Sequence, residues 1–170
     1  PAHGLGVMGV HRYDEFGRTT LVVSTGPLAL RARILKRGFD VVVATLALLA
    51  LSPVLLVTAL LIKLEDGGPV LFVQRRLGRG NQFFDMFKFR SMREDKLDHD
   101  GNRSASRDDD RITRIGAFIR RTSIDELPQL WNVLRGDMSL VGPRPPLCSE
   151  VARYTQADRE RLDVTPGLTC

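Results

Sequence analysis

Cysteine is scarce in this chain, with Cys148 and Cys170 the only two in 170 residues. Their spacing fits no metal motif, and neither has a partner close by in sequence. That excludes a zinc cluster or a disulfide scaffold and leaves free thiols of a reducing compartment as the expectation. Histidine is equally thin: His3, His11 and His99 stand in polar, Gly- or Asp-rich surroundings, the setting of solvated rather than catalytic imidazoles. No internal repeat is present, so repeat architectures drop out. The net charge of +5 and a pI near 9.8 come without a nucleic-acid motif, so the basic balance points to anionic lipid or a phosphate-bearing ligand.

Charge is missing altogether between Asp40 and Lys63, where the chain reads VVVATLALLALSPVLLVTALLI. About 20 apolar residues rising ~1.5 Å each match a hydrocarbon core of roughly 30 Å. The run places the protein in a membrane, and Ser52-Pro53 at its middle decides how. Pro53 has no N–H for the carbonyl four residues back, so the helix is expected to kink or break into arms one leaflet long. The Ser52 hydroxyl is expected to cap the backbone freed there.

The flanks are balanced. Arg31, Arg33, Lys36 and Arg37 precede the run, and Lys63, Arg75, Arg76 and Arg79 follow it. Basic residues mark the cytoplasmic side, and a spanning helix shows an asymmetry that is missing here. A re-entrant hairpin, entering and leaving by the cytoplasmic face, is therefore favoured over a spanning helix. A cleaved signal peptide is not expected, because the run is too long and too far from the start.

Elsewhere the length suits one compact domain. Residues 1–30 are Gly-rich with little periodicity beyond a short strand at Thr20–Ser24, and read as a linker or the remnant of an N-terminal region. Both ends look cut, at the C-terminus after Pro166-Gly167-Leu168-Thr169-Cys170. Val70–Gln74 and Gln82–Arg90 read as strands joined by a basic loop, Arg75–Asn81. Arg93–Arg111 is a charged, solvated loop. A helix is expected over Ile112–Arg121, with Ile112, Ile115 and Ile119 on one face. Another begins near Asp125, turns Leu127, Leu130, Trp131 and Leu134 inward and stops at Gly136. A last helix covers roughly Cys148–Leu162, its arginines on a headgroup surface or simply in solvent.

Asp125-Glu126 is the pair most able to do chemistry. Its bland reading is a helix start, where carboxylates gain about 0.3–1 kcal/mol each from the dipole and from capping. Its functional reading is a nucleophile and a metal-binding or basic partner facing a bound phosphate. Two anions approach a phosphate only with cations nearby, and the chain offers Lys88, Arg90, Arg111, Arg114, Arg120, Arg121 and Arg144. Arginine clamps phosphate bidentately, whereas the bland alternative for each is an ion pair or a solvated face. Gly142-Pro143-Arg144-Pro145-Pro146 is a stiff turn presenting a single Arg.

Taken together, KRGFD, the Ser-Pro apolar run, GPVLFVQRRLGRG, FKFRSM, DDRITRIGAFIRRTSIDELPQLWNVLRGDMSLVGPRP and VTPGLT closely resemble the bacterial sugar transferases. More narrowly, they resemble the monotopic polyprenyl-phosphate phosphoglycosyltransferases. The match runs over about Leu35–Thr169, with residues 31–170 as the catalytic domain and a re-entrant helix at about 36–64. The resemblance implies transfer of a sugar 1-phosphate from a nucleotide sugar, usually a UDP-sugar, to polyprenyl phosphate, with UMP released. It implies Mg²⁺ as cofactor, Asp125 as nucleophile, Glu126 as metal ligand, Lys88, Arg120 and Arg144 on substrate, and a helix broken at Ser52-Pro53. Arg90 and Arg111 join the substrate-binding set as further phosphate cations.

The expected fold is thus α+β and mainly helical: a membrane-embedded re-entrant hairpin with a small cytoplasmic catalytic domain that contains a short β-hairpin. The expected location is the cytoplasmic face of a bacterial inner membrane, with membrane lipids as partners, no nucleic acid, and homo-oligomers an open partner class. Larger members of the family carry membrane spans before the KR segment, and Gly9–Leu30 resembles the connector from such a region. The family's chain usually continues past PGLT. The alternative is a membrane-tethered binding or scaffold protein whose acidic pair merely caps a helix.

Overall fold

The computed structural model of the chain describes residues 30–94 and 109–169. The strand read at Thr20–Ser24, the N-terminal linker before Leu30, the three histidines, Cys170 and most of the charged stretch Arg93–Arg111 lie outside the described residues.

Helix α1 spans Leu30–Asp66 and contains Pro53. Its Leu- and Ala-rich sequence favours helix, and helical conformation continues through the proline. The chain therefore has one long helix where the sequence reading expects two arms. The reason is local. Ser52 Oγ donates to the Leu49 carbonyl at 2.8 Å, which is the carbonyl that the absent N–H of residue 53 would have bonded. Ala44, Thr58 and Ile62 are buried along one face, while Leu46, Leu49, Leu56 and Leu60 stand out on the other. At 37 residues α1 is long and apolar enough to cross a membrane, and its exposed apolar surface marks a membrane-associated chain.

After the turn at Gly67-Gly68, β1 (Leu71–Leu77) and β2 (Phe83–Phe89) pair antiparallel, with Leu71 opposite Phe89 and Leu77 opposite Phe83. The turn between them places Gly80 and Asn81 at φ 65° and 61°, a left-handed pair that Gly-Asn tolerates. Strand β1 runs three residues further than the sequence reading allows. Arg75 sits opposite Asp85 and over the Phe83 ring at 4.8 Å, so cross-strand contacts draw the supposed loop into the ladder.

Helix α2 (Arg114–Arg121) opens on Thr113, whose hydroxyl accepts from Gly116 N at 2.9 Å, and buries Ile119. Helix α3 (Gln129–Arg135) ends at Gly136, in the left-handed region at φ 95°. Leu130 points inward as expected, but Trp131 is 55% exposed and lies on the outer face. Asn132, fully buried, joins α3 to β2: its Nδ2 donates to Asp85 O and its Oδ1 accepts from Phe87 N. The expected last helix is broken into α4 (Cys148–Val151), α5 (Gln156–Arg159) and a 3-10 turn at Glu160–Asp163. The break arises because Thr155 N and Oγ1 donate to the Asp158 carboxylate while Asp158 N donates back to Thr155 Oγ1, a reciprocal cap that restarts the helix.

A second sheet, absent from the sequence reading, pairs β3 (Ser139–Val141) in parallel with β4 (Gly167–Thr169). Gly142 and Gly167 approach so closely that a Cβ on Gly167 would lie 2.0 Å from Gly142 N. Buried Asp40 of α1 accepts from Ser139 Oγ at 2.8 Å and from Leu140 N at 3.3 Å, tying the helix to this sheet. Two apolar clusters fill the interior. One joins Ala44 of α1 to Phe84, Met86, Leu130, Val133 and Met138; the other joins Ile62 to Phe89 and Ile119. The architecture is mixed helix and small sheet, as the sequence implies.

Candidate functional site

Alternation along β2 points Met86 and Lys88 to the same side of the hairpin, toward the segment that joins α2 to α3. That segment is a tight 3-10 turn, Ile124–Glu126, entered through Ser123 at φ 57°. The α-helix proper starts only at Gln129, with Pro128 before it. The acidic pair therefore sits on a constrained turn ahead of α3 rather than on the helix's first residues.

Lys88 Nζ donates to Glu126 Oε1 at 2.8 Å, and both are only partly exposed. Glu126 lines a cavity whose walls also carry Arg76, Lys88, Gln129 and Arg144, with Gly167–Thr169 of β4 closing one side. Asp125 stands beside Glu126 in the same turn. Burial pushes its carboxyl above the usual carboxylate range; the charge of Lys88 opposes this, Glu126 adds to it, and Arg120 opposes it further. Burial makes this carboxyl harder to ionise, and Lys88 and Arg120 offset part of that cost.

Arg144 is carried by a braced turn. Pro145 O accepts from Arg76 Nη1 at 3.1 Å, Pro146 O from Leu77 N at 3.2 Å, and Pro143 O from Gly167 N at 2.9 Å. The stiffness read from Pro143, Pro145 and Pro146 is thus reinforced by both sheets.

Of the seven residues read as catalytic or substrate-binding, the structure brings Glu126, Lys88 and Arg144 to one cavity, with Asp125 adjacent and Arg120 near enough to act on Asp125. Arg90 and Arg111 are corrections. Arg90, almost fully buried, makes a bidentate pair with Asp66 and donates Nε to Pro69 O at 2.6 Å and Nη1 to Met92 O at 3.2 Å. It holds the end of α1 to the end of β2. Arg111 pairs with Asp109, Nη2 to Oδ2 at 2.6 Å, and both are buried. Each guanidinium is committed to an internal carboxylate. Asp66 in turn is held down to about 2, first by its bond to Arg90, with burial opposing and the Gly68 amide helping.

Arg76 is the residue that the sequence reading missed on the cavity wall. It was assigned to the basic flank of the apolar run, yet it sits on the inner face of β1 beside Gln74 and is buried. Period-two alternation from Gln74 to Arg76 is the signal for this placement, since it carries β1 past Gln74 and turns both side chains to the same face.

No group of three or more His, Cys, Asp or Glu side chains gathers among the described residues. The Glu126 carboxylate on the cavity wall is the chemical type of donor that a hard divalent cation takes, since such an ion commonly binds one or two carboxylates and fills its remaining positions with substrate phosphates and water.

The chain belongs to the bacterial sugar transferase family, whose profile matches residues 31–170. It is 55% identical to an undecaprenyl-phosphate glucose phosphotransferase of Komagataeibacter xylinus, over 80% of this chain and 25% of that protein. It is 48% identical to a UDP-N-acetylgalactosamine-undecaprenyl-phosphate N-acetylgalactosaminephosphotransferase of Aeromonas hydrophila, over 79% of this chain and 32% of that protein. It is 49% identical to a UDP-glucose:undecaprenyl-phosphate glucose-1-phosphate transferase of Caulobacter vibrioides, over 97% of this chain and 64% of that protein. The chain thus spans between a quarter and two thirds of the length of these relatives.

Proposed function

We propose that this member of the bacterial sugar transferase family moves a sugar 1-phosphate from a UDP-sugar to a polyprenyl phosphate at the cytoplasmic face of a bacterial inner membrane. The observation that carries the reading is the Asp125-Glu126 turn set against Lys88 at the wall of a cavity that Arg144 also lines. Anionic groups able to attack a phosphate and cations able to neutralise it stand together. The relatives' names supply the substrate class, and they differ in the sugar, so the sugar is left open.

Asp125 attacks the phosphorus nearest the sugar. A carboxylate–phosphorus bond forms, the bond to the bridging oxygen breaks, and UMP leaves. The polyprenyl phosphate oxygen then attacks the same phosphorus, restoring the Asp125 carboxylate and giving a polyprenyl-diphosphate sugar. Covalent catalysis splits one hard transfer into two steps and lets a soluble donor and a lipid acceptor use the site in turn. Lys88 positions Glu126 and shares its charge with Asp125, Arg120 lowers the cost of a charged Asp125, and Arg144 binds phosphate oxygens. Mg²⁺, held by Glu126 with Asp125 beside it, would neutralise phosphate charge when bound.

Entry and exit by one face belong to this proposal and rest on the balanced basic flanks and the Ser52-Pro53 pair, while α1 itself runs helical through Pro53. Ala44, Ala47 and Leu48 before Pro53 pack on one apolar cluster of the domain, and Leu55, Ala59 and Ile62 after it pack on the other. A helix entering and leaving by one face would deliver the lipid phosphate at headgroup level. Incubation with Mg²⁺, undecaprenyl phosphate and a panel of UDP-sugars tests the proposal. UMP released together with one lipid-linked product supports it; no UMP from any donor overturns it.

A further inference from the structure

The cavity holds one more cation than the mechanism uses. Arg76 is 6% exposed, and three of its N–H groups are spent on neutral acceptors: Nε and Nη2 on Gln74 Oε1, at 3.1 and 2.6 Å, and Nη1 on Pro145 O at 3.1 Å. A guanidinium has five donors, so two remain beyond these bonds. Its nearest carboxylate among the described residues is Glu150, at 4.0 Å and half-exposed, too far and too wet to balance a buried charge. Burial first, and then the neighbouring Arg144, pull its pKa below the ordinary guanidinium value, and Glu150, Cys148 and Glu126 offset this only in part. Arg90 and Arg111, the other buried arginines among the described residues, each have a carboxylate in hydrogen-bond contact. Arg76 has a cavity instead.

We propose that Arg76 is a ligand for the diphosphate of the nucleotide donor, gripping it together with Arg144 through the two N–H groups that its internal bonds leave over. The inference rests on the transfer reaction above and adds a residue to it. Gln74 holds the planar fork in one orientation, so little side-chain entropy is left to lose on binding. The bond from Arg76 to Pro145 O fixes the turn bearing Arg144, so the two arginines form a preset pair of cations lining one cavity. A dianionic diphosphate fits such a pair; a nucleoside without phosphate gains nothing from it.

The test is competition binding of UDP and of uridine to the purified full chain and to Arg76→Gln and Arg76→Lys, with melting curves for each. The expected result is a loss of about 10-fold or more in UDP affinity for Arg76→Gln, with uridine affinity unchanged. Arg76→Lys keeps the charge without the fork and should recover part of the loss, and it carries the test alone where Arg76→Gln fails to fold. UDP affinity unchanged in either folded variant overturns the proposal. So do equal losses for UDP and uridine, which would mean that Arg76 only holds the site's shape. Failure of the wild-type chain to bind UDP at all would overturn the transfer reading itself, and is seen before any variant is made.

Discussion

Ser52 donates its hydroxyl to the carbonyl of Leu49 at 2.8 Å, replacing the backbone bond that Pro53 cannot make. In water this exchange would be minor. In lipid, where a bare carbonyl costs on the order of a few kcal/mol, it lets a proline sit in the middle of an apolar helix without exposing backbone.

The pair therefore bears on topology. In a background with Cys148 and Cys170 replaced by serine, Phe39→Cys and Leu64→Cys, both on exposed positions at the ends of the apolar run, should label from the cytoplasmic side. Labelling from opposite sides would show a spanning helix. Pro53→Ala restores the helical N–H and should move part of the population toward spanning, since the uninterrupted run is long enough to cross.

The acidic turn gives the second prediction. Asp125→Asn should drop turnover to background and trap no labelled phosphosugar, because an amide cannot serve as the nucleophile. Glu126→Gln should lose about 100-fold or more, through the loss of the charge that Lys88 now pairs and that Mg²⁺ would use. Lipid product from Asp125→Asn at near wild-type rate would remove Asp125 from its role.

The Asp66–Arg90 pair sets an acid limit on the fold. Asp66 is held at about 2 against an ordinary 3.8, so its contribution to stability is complete above about pH 4 and is lost as pH falls through 2. After screening at this partly exposed carboxylate, the loss is on the order of 1–2 kcal/mol. Urea midpoints measured from pH 6 down to pH 2 should fall in that window, and Asp66→Asn should flatten the fall. An Asp66→Asn variant with the wild-type profile would show that other carboxylates set the limit. The same variant leaves a buried guanidinium unpaired and should be less stable at neutral pH.

How much of this was legible in the sequence depends on the range of each interaction. The apolar helix, the β-hairpin and the stop at Gly136 are written in neighbouring residues, and the structure reproduces them, whereas α1 runs on through Ser52-Pro53 and the acidic pair sits on a 3-10 turn ahead of the helix it was expected to open. Arg90 and Arg111 carry the same side chain as Arg144, and nothing local says that one is turned to Asp66, 24 positions back. Arg111's partner Asp109 is close in sequence but stood in a run of acidic residues that read as solvated. The β3–β4 sheet pairs three-residue segments far apart in the chain, too short for periodicity to register. Trp131 follows the inward Leu130 by one position, and the sequence alone did not fix where the buried face of α3 ended.

Arg144 carries the last prediction. Its turn is braced by Arg76, Leu77 and Gly167, so the backbone loses little freedom when a ligand arrives. A charge-assisted bidentate pair is worth roughly 1.5–3 kcal/mol, so Arg144→Gln should weaken catalysis by about 10- to 150-fold. Arg144→Lys keeps the charge but not the planar fork and should recover only part of that. A scaffold role would also lower activity, so activity by itself does not decide. Arg144 is exposed and its turn is held through backbone atoms, which predicts a melting temperature close to wild type in both variants. Donor affinity measured on the same samples should fall with activity. Unchanged donor affinity with a lowered melting temperature would assign Arg144 to the scaffold, and the phosphate clamp would then need another residue.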